Sequence, residues 1–450
     1  MQRDSINFAT MGIPKMFGKL LIPTLLGMLS TATLIIAEGI FVGHGVGSDG
    51  LAAINIACPL FTITAGIGLM FGIGASIVAS IHLSQNEIKA AQINITQAFI
   101  VSSILMLLIS AVIAFFRENV AYFFGSSEHL LPLVMEYLVW MAPFLVFCMI
   151  MNLGLFVIRL DGSPIYAMCC SVIPAVINFI MCWLFVMKLD WGVKGAAMAT
   201  AVGVTVGGFM VMTYVVFFSR KLHLYRLKIS RKSLILTGRN IGYMMKLGSS
   251  AFLGEMAISV MVLMGNYAFI KTLGDDGVAA FGVACYCFPL IYMFGNAIAQ
   301  SAQPIISYNY GADNWTRVRK TTTISLGTAI ICGLGAMAAT IIFCKPLVSA
   351  FLDPTCKAYL IATQGMPYFA VGYVFFAFNM ASVGYYQSIE KAKRANIYTL
   401  LRGFIFLVIC FLVLPQLLNI KGIWLAVPFA EMLTSVVIVG RYFSDRRINR

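Results

Sequence analysis

Three carboxylates, Glu38, Glu255 and Glu431, fall well inside apolar runs. Desolvation disfavours the charged form of an acid, so a carboxylate held there can take a proton from one side and release it when its surroundings change. A sodium ion can replace the proton if carbonyl and hydroxyl oxygens complete its shell. The competing reading is a structural ion pair, and Arg402 is the deep cation available to Glu431. Asn178 is a lone amide in another apolar run, where it serves either as a helix-to-helix hydrogen bond or as a ligand. His44, His82, His129 and His223 lie in or beside loops without clustering, and no Walker pattern is present. A histidine-dependent membrane enzyme, a metal centre and direct use of ATP are therefore not expected. Nor is an organic cofactor.

These groups need membrane-spanning helices to position them. The 450 residues are 60% hydrophobic and 11% charged, with a mean hydropathy of +0.91, whereas soluble domains are about 45–50% apolar. One crossing takes about 20 apolar residues. Runs punctuated by Gly, Pro, Asp and Lys/Arg predict twelve, near 15–40, 51–81, 91–116, 132–157, 164–187, 194–218, 243–271, 277–306, 318–343, 358–383, 394–415 and 422–443. The expected fold class is an all-α integral membrane protein of two six-helix bundles. Met1–Pro14 is polar and has no small-residue cleavage site, so the first helix is expected to be retained. Pro23 frees a carbonyl within it and invites a hinge. The stretch after Glu38 reads as an outer turn over Gly43–Gly47 followed by a new helix.

A net charge of +14 would suggest nucleic acid in a soluble protein, but here its distribution decides. With the N-terminus inside, 22 of the 31 Lys and Arg fall in inner segments and seven in outer ones. This is the positive-inside bias of a chain with both termini cytoplasmic, and it argues against nucleic-acid binding. The eleven cysteines sit mostly in apolar runs without a CxxC pair and read as packing residues; Cys344 and Cys356, flanking an outer loop, are the one pair placed to bond.

The chain also repeats itself. Gly47, Asp49, Gly50, Ala52, Ala53 and Ala57 recur 227 positions later, and the same shift lays Lys194-Gly195 onto Lys421-Gly422. Between the copies lies Ser219–Asn240, with seven basic residues and no acid. The expected organisation is an N-terminal lobe over 1–218, a basic cytoplasmic linker over 219–241 and a C-terminal lobe over 242–450. Duplicated six-helix bundles with a cleft between them suit a carrier exposing one site to alternate sides, a need that enzymes and receptors lack. The 26 methionines and 13% aromatic share could line a forgiving pocket or be ordinary packing.

Glu38-Gly-Ile-Phe-Val-Gly43, Asp49-Gly-Leu-Ala-Ala53, Gly195-Ala-Ala-Met-Ala-Thr200 and Pro304-Ile-Ile-Ser-Tyr-Asn-Tyr-Gly311, the last placed after helix eight, resemble in order and spacing the multidrug and toxic compound extrusion (MATE) transporters, in their bacterial branch. The resemblance covers essentially the whole chain. It implies export of cationic, aromatic drugs against an inward flow of sodium or protons, with Glu38, Asn178 and Thr200 as the ion-coupling residues. The family's second helix-five acid falls here on Cys182. Glu255 resembles a helix-seven glutamate of a C-lobe sodium site whose helix-ten aspartate is missing here, which leaves Glu255, with Glu431 and Arg402, as a candidate substrate contact.

The expected function is a secondary antiporter, not an enzyme, acting as a monomer in the bilayer on small amphipathic cations in exchange for H+ or Na+. The alternative is a flippase for lipid-linked precursors, disfavoured by the scarcity of deep cations beyond Arg402 and Lys246.

Overall fold

The computed structural model describes residues 6–228 and 230–448, and among these it is helical with no strand. Among the described residues, nine helices are each long and apolar enough to cross a membrane, and a pair bent by 41°, Lys357–Ala370 with Gly372–Ser388, makes a tenth span. Two of the ten are double. The helix Arg231–Gly311 breaks at Gly274 (φ 65°), and the last helical run breaks at Asn419 (φ 49°). Twelve crossings result: α1 (Ile13–Gly45), α2 (Ser48–Ser84), α3 (Ile88–Phe115), α4 (Leu131–Leu160), α5 (Pro164–Lys188), α6 (Gly192–Phe218), α7 (231–273), α8 (275–311), α9 (Trp315–Ile342), α10 (the bent pair), α11 (392–418) and α12 (420–448). The short helices Arg117–Phe123 and Cys344–Ser349 lie between spans.

The repeat extends to backbone conformation. Gly47 and Gly274, Asn86 and Asp313, and Gly192 and Asn419 all have positive φ, and each pair is separated by 227 positions. A left-handed residue stops one span and starts the next, which is why Gly, Asn and Asp hold these places.

Residues pack into two compact units, one of Met1–Phe252 with Ser307–Asn314, the other of Leu253–Ile306 with Trp315–Arg450. In the first, glycines let backbones touch. A Cβ on Gly74 of α2 would strike the Met244 carbonyl of α7, and one on Gly248 would strike the Met70 carbonyl. The tail of α8 belongs here too, with Ser80 donating to Ser307, its own counterpart 227 positions on. In the second unit the core is aromatic, with Phe269 stacked on Phe281 and set edge-on to the buried Trp424.

Three local expectations change. The segment Gly43–Gly47 is not an outer turn, since α1 continues to Gly45 and Val46 and Gly47 alone connect it to α2. Glycine stays helical there because it packs, Gly45 lying against Val186. Pro304–Gly311 belongs to α8 itself rather than following it. Helix α7 starts at Arg231, twelve residues ahead of its apolar run, where Ser230 caps it by accepting from the Ser233 amide. All eleven cysteines are free thiols, Cys344 and Cys356 included.

Candidate functional site

In the first unit, Glu38, Thr200 and Asn178 meet. Glu38 is half-buried on α1, two turns before its end, Thr200 is on α6 and Asn178 on α5. The Thr200 hydroxyl donates to Glu38 Oε1 at 3.0 Å, and Asn178 Nδ2 donates to Thr200 Oγ1 at 3.3 Å. This chain depends on a close crossing. A Cβ on Gly203 of α6 would lie 2.9 Å from Asn178 Cβ and 3.1 Å from the Pro174 carbonyl, so only glycine lets α5 bring the amide to Thr200. Pro174, inside α5, cannot donate to its own helix and leaves a carbonyl free on that turn.

Asn178 Oδ1 is buried without a hydrogen-bond partner among the described residues. Leaving such an acceptor unmet costs about 1–3 kcal/mol. Carboxylate, hydroxyl and amide oxygens side by side are a hard-oxygen donor set, fit for a sodium ion or for a proton shared with water. Tyr137 of α4 is buried and hydrogen-bonded to Thr200, and it lies with Cys58 and Cys182 within electrostatic reach of the Glu38 carboxylate. Tyr137 gave no sequence signal beyond one phenol in an apolar run. Cys182 packs into an apolar cluster with Val42, Val186, Ala196 and Ala199.

Glu431 and Arg402 line a separate pocket inside the second unit, and Glu255 is bonded to Tyr292 of its wall. The pocket is partly open, has a cavity volume of about 20 Å³ and is walled by Met261, Phe288, Tyr292, Phe376 and Leu407 as well as Arg402 and Glu431. Glu255 accepts from the Tyr292 hydroxyl at 2.8 Å. Glu431 is fully engaged: Arg402 donates to its Oε1 from Nε at 3.1 Å and Nη2 at 2.9 Å, and Asn379 Nδ2 donates to its Oε2 at 2.7 Å. Ser435 then donates to Asn379 Oδ1. Arg402 also lies over the Phe376 ring, 4.4 Å from its centre. It sits in a π-helical turn, Leu401–Ile405, and a Cβ on the next residue, Gly403, would collide with Ala257 of α7. Asn379 was missed, although as a lone amide in an apolar run it carries the signal that singled out Asn178.

The histidines stay apart. His129 pairs with Asp49 and His82 with Glu87 at exposed helix ends, and no group of three metal-binding side chains occurs among the described residues. Pro23 is buried within a continuous α1.

Known proteins resemble this chain throughout its length. It is 23% identical to the multidrug export protein MepA of Staphylococcus saprophyticus, over 92% of this chain and 90% of that one. Identity to MepA of Staphylococcus haemolyticus is 24%, over 94% and 92%. Among solved structures, a variant of the MATE transporter VcmN of Vibrio cholerae superposes with a TM-score of 0.88 at 20% identity, covering 97% of each chain, which shows the same fold. The MatE family model matches twice, at residues 23–184 and 251–412, once in each half, and the chain belongs to the MatE family.

Proposed function

We propose that this protein is a secondary antiporter that exports amphipathic cations in exchange for protons or sodium, with Glu38 as the coupling residue. The observation that carries the reading is the hydrogen-bonded line from Asn178 through Thr200 to Glu38 inside an apolar bundle, because a half-buried carboxylate with a hydroxyl and a spare amide oxygen binds a proton or a small cation reversibly. In the cycle proposed, Glu38 is loaded from the outer face, α1 adjusts at Pro23, and the substrate loses its place. Glu255 is the proposed contact for the substrate's positive charge, since its known partner is one neutral phenol. The Arg402–Glu431 pair forms a polar wall of the neighbouring pocket, which Tyr292 also lines.

The names of the relatives support multidrug export over lipid-precursor flipping. We further propose a bacterial inner-membrane location with both termini cytoplasmic, on the charge asymmetry, the 1–218, 219–241 and 242–450 organisation, and a monomeric state. The test is efflux of a fluorescent aromatic cation from proteoliposomes under an imposed proton gradient, and separately a sodium gradient. One of them should drive export, and Glu38→Gln should return that export to the no-gradient baseline. Full gradient-driven export by Glu38→Gln would remove Glu38 from the mechanism.

A further inference from the structure

The segment between α6 and α7 is fastened to α3 as a strap. Gln92 Nε2 donates to the Lys221 carbonyl at 2.9 Å and the Tyr225 amide donates to Thr96 Oγ1 at 2.8 Å. Lys89 lies 5.4 Å from the centre of the Tyr225 ring. The start of α7 is tied to the same helix, with Gln97 Nε2 donating to Thr237 Oγ1 at 2.9 Å and Asn240 Nδ2 donating to Gln97 Oε1 at 3.1 Å.

These bonds set a depth. On α3, Ile88 at its first residue apart, the continuous row of exposed apolar residues begins at Ile100 and runs through Ile104, Leu107 and Leu108, so Gln97 sits about one turn outside the hydrocarbon. Residues 231–236 lie up to about 9 Å further out, the thickness of a headgroup layer. At that depth Leu234 and Ile235 are 63% and 67% exposed. Arg226, Lys228, Arg231 and Lys232 are exposed beside them, make no ion pair among the described residues, and have no acid between Ser219 and Asn240 to answer them. Exposed apolar side chains at headgroup depth with unanswered cations around them are complementary to an anionic lipid interface.

We propose that this strap and the first turns of α7 form a binding site for anionic phospholipids. Arg226, Lys228, Arg231 and Lys232 hold the phosphates, and Leu234 and Ile235 pack against the lipid at headgroup depth.

The test uses the purified full chain in a neutral detergent and follows its thermal unfolding midpoint on adding phosphatidylglycerol, phosphatidylcholine or inorganic phosphate. Phosphatidylglycerol is expected to raise the midpoint, with a half-maximal concentration that rises severalfold when salt goes from about 0.1 to 0.5 M. The other two are expected to leave it unchanged. The variant R226Q/K228Q/R231Q/K232Q should lose the shift, and R226K/R231K should keep it. Equal shifts from phosphatidylcholine or from phosphate, a salt-independent shift, or a shift undiminished in the fourfold variant would each overturn the proposal. Should the fourfold variant not fold, the lipid comparison and the salt series on the wild-type chain still decide.

Discussion

Thr200 holds Glu38 from one side and receives Asn178 from the other, so a single hydroxyl joins three helices. A hydrogen bond to a charged group is worth about 1.5–3 kcal/mol in soluble proteins and less between membrane helices. Thr200→Val keeps the shape and removes the bond, and is expected to weaken affinity for the coupling ion about tenfold with normal expression. The ion dependence of the efflux rate reads this out, and an unchanged half-saturation would take Thr200 out of the site. The ion pair of the second unit calls for different arithmetic. Removing one partner of a buried pair costs about 3–5 kcal/mol because it strands the other charge, whereas replacing both by apolar groups of similar size costs far less. Arg402→Met and Glu431→Leu should each lower the thermal unfolding midpoint steeply, and the double variant should recover most of the loss. Additive losses would show that the two charges act independently. At this scale, Glu38, Glu255, Glu431, Arg402 and Asn178 were legible because polar groups in apolar runs are conspicuous. Thr200 was visible through the family resemblance alone, since threonine is common in membrane helices. Tyr137 owes its place to packing of α4, which no single residue announces.

Helix count and helix type followed from apolar run lengths, whose gaps at 272–276 and 416–421 hold the breaks at Gly274 and Asn419. Ends were less legible. The chain passes smoothly from glycine-rich helix to glycine turn, and whether Gly43 or Gly47 ends α1 depends on what lies opposite: Gly45 faces Val186, while Gly47 has nothing within 4 Å and φ 89°. The same contrast makes a prediction about α7. Gly238 has open space around its Cβ position, so Gly238→Ala should stabilise by up to about 1 kcal/mol, the helix-propensity gain. Gly248 lies in the same helix against the Met70 carbonyl, so Gly248→Ala must push α2 and α7 apart, at a cost of about 1–3 kcal/mol or more. Unfolding midpoints should therefore move in opposite directions for one chemical change. A Gly248→Ala protein as stable as Gly238→Ala would mean that this crossing is looser than drawn.

The molecule as a whole is a duplicated scaffold with unlike chemistry in its two halves. The family match falls once on each half, yet the position 227 residues after Glu38 is Gly265, packed against the ring of Phe281 with no room for a side chain. The second half instead carries a pocket of aromatic and methionine walls with Glu255 held by Tyr292 and a self-neutralised Arg402–Glu431 pair. If coupling belongs to the first half and substrate contact to the second, the two functions should separate by mutation. Glu255→Gln removes a carboxylate from behind Tyr292 of the pocket wall while leaving a group that can still accept from that phenol. It should raise the half-saturation for a cationic substrate about tenfold or more and leave the response to the driving ion intact. A neutral aromatic substrate of the same size should be exported as before, because it never used the charge. Glu38→Gln should do the reverse, leaving equilibrium binding of the cation to the purified protein near its wild-type value while abolishing its uphill export. Paired binding and efflux measurements on both variants test the division directly. It fails if Glu255→Gln silences the ion response, or if Glu38→Gln alone loses the bound cation.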